Sequence, residues 1–219
     1  MKHKIAVVLS GCGVYDGAEI FESVLSLLFI EEQGASYQAF APNIQQHHVI
    51  NHLTGEEMPE ARNVLVEASR IVRGKIKDIS EAKAEDFDAL IIPGGFGVAK
   101  NLSDFAFNGS QMQVQTEVLK LCKAFHQAKK PIGFACIAPA LDTAINPDIT
   151  LTIGSDPETA KALENMGAQH IDCEVNEAYI DEDNLIVSTP ACMLSESVSG
   201  IAPGIELLIK SVVSLMSDN

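Results

Sequence analysis

The sequence predicts an α/β domain: a three-layer sandwich with a mostly parallel open sheet and helices on both faces. Three observations predict it. Short runs of Ile, Val, Leu and Ala alternate with longer runs of helical spacing, the order found in doubly wound sheets. Hydrophobic residues make up 47% of the chain but aromatic residues only 5%, with no Trp, so the core is aliphatic, as strands buried on both faces require. Apolar runs also stop abruptly at Ser10-Gly11, at Pro93-Gly94-Gly95 and at Cys136. In open parallel sheets, sites form beyond the carboxyl ends of the strands.

The elements follow in order. Ile5–Leu9 reads as the first strand, and Gly17 to Glu32 as a helix, with Ile20, Val24, Leu27 and Leu28 at helical spacing. Gly34 stops that helix, and Tyr37–Ala41 is the second strand. A polar stretch from Asn43 to Glu57 carries His47, His48 and His52. Pro59 then opens a helix running to about Val72. Asp88–Ile92 is a buried strand, followed by a long helix containing Val114, Val118, Leu121 and Phe125. Ile132–Ala135 is a strand running into Cys136. Ile149–Ile153 and Leu185–Ser188 read as strands, Pro157–Met166 and Ser197–Met216 as helices. No linker or repeat divides the chain, so residues 1–219 are expected to form one domain.

The net charge of −15 repels phosphate backbones, which argues against nucleic acid and anionic membrane as partners. The apolar stretch near Val24 to Ile30 is too short to span a bilayer. Five cysteines without a CxxC do not form a disulfide framework. The charged start Met1-Lys2-His3-Lys4 is followed by only five apolar residues, too few for a signal peptide. A cytoplasmic protein is the expectation.

Cys136 carries the sharpest chemical signal. Between a strand and the helix-like start Ile137–Leu141, its sulfur is expected to feel a helix N-terminus, which lowers a thiol pKa. A buried structural cysteine is the alternative. Gly94 and Gly95 offer backbone N–H groups able to hold an oxyanion beside it. Glu19 and Glu22, three apart near a helix start, share a face. One of them can carry protons to Cys136; dipole-stabilising acids are the plainer reading. Cys12, in the turn after the first strand, joins the candidate lining. Gly11-Cys12-Gly13 with Gly17 has the wrong spacing for a dinucleotide loop, and Ala41-Pro42 stands where a ribose-binding acid belongs. The clustered histidines read as surface residues rather than metal ligands. His126 and His170 are open. No cofactor and no metal is expected.

The segments GAEIFESV, FDALIIPGGFGVAKNLS and GFACIAPA resemble the class I glutamine amidotransferase-like superfamily, in its branch of PfpI peptidases and the Parkinson-associated deglycase. SGCGVYDGAEI, INHLTGE, ARNVLVEA and ACIAPA resemble the ElbB family more closely, nearly end to end. The resemblance implies a flavodoxin-like fold and a homodimer. It implies Cys136 as nucleophile, the N–H groups of Gly95 and Ile137 as oxyanion donors, and Glu22 in contact with the thiol, with Glu19 as fallback. PfpI peptidases place a histidine after the nucleophile; Ile137 stands there and cannot act as a base, which argues against amide cleavage. The implied activity is cofactor-free conversion of a small dicarbonyl, glyoxal to glycolate. Deglycation of adducts, oxidant sensing linked to isoprenoid metabolism, and a non-catalytic scaffold are the alternatives.

Overall fold

The computed structural model describes residues 3–216; Met1 and Lys2, weighed above as the start of a signal, lie outside them. Along the chain run β1 (Lys4–Val8), α1 (Ile20–Glu32), β2 (Ser36–Ala41), α2 (Val64–Ala68), β3 (Ile76–Asp78) and β4 (Ala89–Ile92). Then come α3 (Phe105–Asn108), α4 (Thr116–Gln127), β5 (Ile132–Ala135) and α5 (Ala140–Thr143). The remainder is β6 (Thr150–Leu151), α6 (Pro157–Asn165), β7 (Gln169–His170), β8 (Tyr179–Asp181), β9 (Ile186–Thr189) and α7 (Val198–Leu215). The main sheet has the order β3-β2-β1-β4-β5-β9-β8. All its pairings are parallel except β8 against β9. This is the flavodoxin-like architecture expected from the sequence.

Alternation along the strands divides the core into two layers. Ile5, Val7, Ala39 and Ile91 face a cluster with Ile30 of α1 and Ile205, Leu208 and Ile209 of α7. Ala6, Val8, Leu90 and Ile92 face Val118, Leu121, Cys122 and Phe125 of α4. Because side chains in a strand point alternately to opposite faces, continuous aliphatic runs serve both layers. By length and hydropathy, α7 could cross a membrane. Here one side of it lies against the sheet, with Ile201, Ile205, Leu208, Ile209 and Val212 buried.

Five elements differ from the sequence reading. The helix expected from Pro59 is only the five residues of α2, because Asn63 caps it, accepting from Val66 N–H at 3.0 Å. Arg73 (φ 55°) and Gly74 (φ 79°) then turn the chain into β3. The expected strand Ile149–Ile153 shrinks to β6, which leaves the main sheet and pairs with β7. The edge strands β3 and β8 were not anticipated, being short and mixed in polarity. Finally, Ile137–Leu141 is a run of turns leading to the four residues of α5, so Cys136 precedes no long helix.

A buried ion pair ties α4 to the segment after Cys136. His126 Nε2 lies 2.6 Å from Asp142 Oδ1, and Asp142 is fully buried. Burial opposes the charge on His126, but the bond to Asp142 raises its pKa overall. Removing one partner of such a pair leaves the other charged and unpaired, typically costing about 3–5 kcal/mol. His126→Ala should therefore lower the urea midpoint by a corresponding amount with an unchanged slope. A loss below about 1 kcal/mol would mean that the pair contributes no more than an exposed one.

Candidate active site

The site is assembled from four strand ends. Cys136 follows β5 with φ 59°, a left-handed conformation that costs a side chain-bearing residue about 1–2 kcal/mol. Two bonds fix it there: Cys136 N–H donates to Thr189 O at 2.9 Å, and Ala138 N–H to Ala135 O at 3.0 Å. The thiol is thus held at a sharp corner, with 7% of the residue exposed.

After β4 the chain runs through Gly94 and Gly95, and close approach demands glycine at both. A Cβ on Gly94 would sit 2.5 Å from Cys136 Cβ and 2.9 Å from Glu22 Oε2. Gly95 has φ 97°, and a Cβ there would meet the Gly17 carbonyl at 2.5 Å. After β1, the Gly11–Gly17 loop is latched by Asn101, whose side-chain N–H groups reach Ser10 O (3.0 Å) and Asp16 O (2.9 Å). Asn101 lies in one turn of π-helix, Val98–Leu102, a form often found beside functional sites.

Glu22 comes from the first turn of α1 and is fully buried. Gly94 N–H donates to its Oε2 at 2.7 Å and Cys192 N–H to its Oε1 at 3.1 Å. Glu19 is the N-cap of α1: its Oε2 accepts from Glu22 N–H at 2.7 Å, and its own N–H donates to Gly94 O at 2.9 Å. That capping bond satisfies a helix-end donor and fixes the turn from which Glu22 projects.

Electrostatically the site differs from the sequence expectation. Burial pushes the Cys136 thiol well above its ordinary pKa and the Glu22 charge pushes it further, while the N–H groups of Gly95 and Ile137 pull it down. The expected lowering by a helix N-terminus is absent because the following segment is turns and a four-residue helix. Burial also raises Glu22 to about 7, against opposing N–H bonds from Cys192 and Gly94. Thiol and carboxyl are in contact and coupled, with the carboxyl titrating near neutrality and the thiol pushed above its ordinary range. No histidine figures among the groups acting on Cys136: His126 bonds Asp142, and His170 Nε2 accepts from Ile153 N–H at 3.3 Å.

Cys136, Glu22, Glu19, Gly94, Gly95 and Ile137 are brought together. Cys12 lies in the Gly11–Gly17 loop, its thiol raised by burial and by the charges of Glu67 and Asp16 against that of Arg70. Cys192 had no place in the sequence reading, yet it sits beside Glu22. Its position just past a strand end was legible, but only the sheet order shows that strand, β9, to be the parallel neighbour of β5. Glu19, Glu22 and Cys192 also hold donor atoms within 4.8 Å of one another. Both Glu22 oxygens already accept N–H groups, an arrangement suited to protons rather than to a cation.

A buried cysteine on a strained turn, two N–H groups at its sulfur and a carboxyl of raised pKa thus meet at the ends of these strands. The sequence matches the DJ-1/PfpI family over residues 14–192, and the chain belongs to that family. It is 45% identical to the human glutamine amidotransferase-like class 1 domain-containing protein 3, mitochondrial, covering 97% of this chain and 83% of the relative. It is 38% identical to the zebrafish ES1 protein, mitochondrial, covering 86% and 76%. A crystal structure of an isoprenoid biosynthesis protein with an amidotransferase-like domain from Ehrlichia chaffeensis superposes with a TM-score of 0.90 at 38% identity, over 97% of this chain and 99% of that one. Glyoxalase III from Candida albicans shares the fold, with a TM-score of 0.64 at 14% identity over 99% and 98%. The mitochondrial names of the curated relatives overturn the cytoplasmic expectation. That expectation rested on soluble-domain composition, which does not distinguish compartments.

A buried acid whose folded pKa exceeds its unfolded value binds its proton more tightly when folded. Its contribution to stability is complete below the ordinary glutamate range and is lost as pH rises through the folded value. With Glu22 raised from 4.5 to about 7, the wild-type urea midpoint should fall between about pH 5 and about pH 8. Glu22→Gln, which cannot ionise, should flatten that decline; equal slopes would show that Glu22 does not titrate in this range.

Proposed function

We propose that the protein converts glyoxal, or a closely related small dicarbonyl, to the corresponding hydroxy acid without a cofactor. The observation carrying this reading is the pairing of Cys136 with a fully buried Glu22 of pKa about 7. Such a carboxyl can both take and return a proton at neutral pH. Ionised Glu22 takes the thiol proton as sulfur bonds to one aldehyde carbon, and the new oxyanion is held by the Gly95 and Ile137 N–H groups. The oxyanion recovers that proton, giving a hemithioacetal. Glu22 then removes the hydrogen from the sulfur-bearing carbon and delivers a proton to the second carbon, while the hydroxyl proton passes from the first oxygen to the second, which leaves a thioester. Water cleaves the thioester, so glyoxal plus water becomes glycolate and a proton, and Cys136 is free again.

Family membership supports this reading, and so does the name of the Candida relative, glyoxalase III. An ElbB-like assignment belongs to the same proposal and rests on the motifs quoted above. Glycolate formation measured over many turnovers tests it. Cys136→Ala should abolish turnover, and Glu22→Gln should lower kcat by roughly a hundredfold or more. Unchanged turnover in either variant would sink the scheme.

The homodimer implied by the resemblance is part of the same reading. Ile20, Val24 and Leu28 form an exposed apolar stripe on α1 beside exposed Phe21. With each copy carrying a charge of −15, an uncharged face is where two copies can meet. Light scattering coupled to size exclusion should give a dimer for the wild type and a monomer for Val24→Asp. A wild-type monomer at tens of micromolar would remove the dimer from the proposal.

A further inference from the structure

Cys192 lies in a site that the dicarbonyl chemistry does not require it to join. Its N–H holds Glu22 Oε1 at 3.1 Å, and its Sγ lies within 4.8 Å of carboxylate oxygens of both Glu22 and Glu19. Cys136 and Cys192 each interact through sulfur with the Glu22 carboxyl, and Cys136 also acts on the Cys192 thiol. Their strands are adjacent: Ala135 is the register partner of Thr189, so Cys136 is one residue past the pair and Cys192 three. The two cysteines differ in access. Cys136 is buried, whereas Cys192 is half-exposed on the short turn Ala191–Met193. Residues 195–197 beyond that turn have no regular structure.

We propose that Cys136 and Cys192 form a peroxide-reactive pair in which Cys192 resolves the oxidised Cys136 as an intramolecular disulfide. The hydroperoxide is the oxidant. The Cys136 sulfur, its proton passed to Glu22, attacks the terminal peroxide oxygen; the O–O bond breaks, and water or an alcohol leaves with that proton. Cys136 is then a sulfenic acid, oxidised by two electrons. The Cys192 sulfur attacks it, Glu22 relays the Cys192 proton to the departing hydroxyl, and an S–S bond and water are formed. A disulfide needs its Cβ atoms about 3.8 Å apart, and the short turn bearing Cys192 is the element that adjusts. The product occupies the nucleophile and protects it from further, irreversible oxidation. This proposal stands apart from the dicarbonyl reading, since it needs no turnover of glyoxal and is read by mass rather than by activity.

The test treats the reduced protein with a tenfold molar excess of hydrogen peroxide, because a sulfinate consumes two equivalents where a disulfide consumes one, then alkylates the remaining thiols and maps the peptides by mass spectrometry. In the wild type the Cys136 and Cys192 peptides should be cross-linked with loss of two hydrogens, and dithiothreitol should restore both thiols. In Cys192→Ser and Cys192→Ala, Cys136 should instead gain two oxygens and resist dithiothreitol. Circular dichroism of both variants checks the fold; should neither fold, the wild-type map alone decides. Sulfinate on wild-type Cys136 with Cys192 still alkylatable would overturn the proposal. So would a cross-link between two chains, or one from Cys136 to Cys12 or Cys173.

Discussion

A single buried carboxyl holds the site together. Glu22 accepts N–H groups from the turn after β4 and from the turn after β9, while its own backbone is fixed by the Glu19 cap. Its other neighbour is the thiol at the end of β5. Three segments far apart in sequence are thus registered on two oxygen atoms. Withdrawing those atoms from water disfavours the charged form, which is why the carboxyl titrates near neutrality. One constraint therefore sets both the geometry of the crevice and its proton chemistry.

The glycines around this carboxyl follow from the same demand for closeness. Gly94 leaves room for both the Cys136 Cβ and Glu22 Oε2, and Gly95 lets the chain pass against the Gly17 carbonyl while turning an N–H toward the sulfur. The strained backbone at Cys136 belongs to the same arrangement, since its N–H is tied to Thr189 of the neighbouring strand. Strain of this kind persists where surrounding bonds over-determine it.

Much of this was legible from the residues. The inner strands β1, β4, β5 and β9 announce themselves through short apolar runs that end at small residues, and the strand-end rule draws Cys136, Gly94 and Gly95 to one crevice. The edges were hidden because Ile76-Lys77-Asp78 and Tyr179-Ile180-Asp181 carry no uninterrupted apolar pattern. The thiol's electrostatics were misread because Ile137–Leu141 has helical composition, whereas its length as a helix is set by tertiary packing. Cys192 went unassigned because its neighbourhood depends on the pairing of β9 beside β5, and no local pattern encodes that pairing.

The two ends of the main sheet have a consequence of their own. Each is closed by a three-residue strand, β3 on one side and β8 on the other. β3 carries Lys77 and Asp78, and β8 runs against the direction of the rest. Short, charged or reversed edges offer a poor template for an incoming strand. A wide parallel sheet with aliphatic inner strands is therefore shielded from edge-to-edge growth into fibrils. The cost is that the outer strands add little to the core they protect.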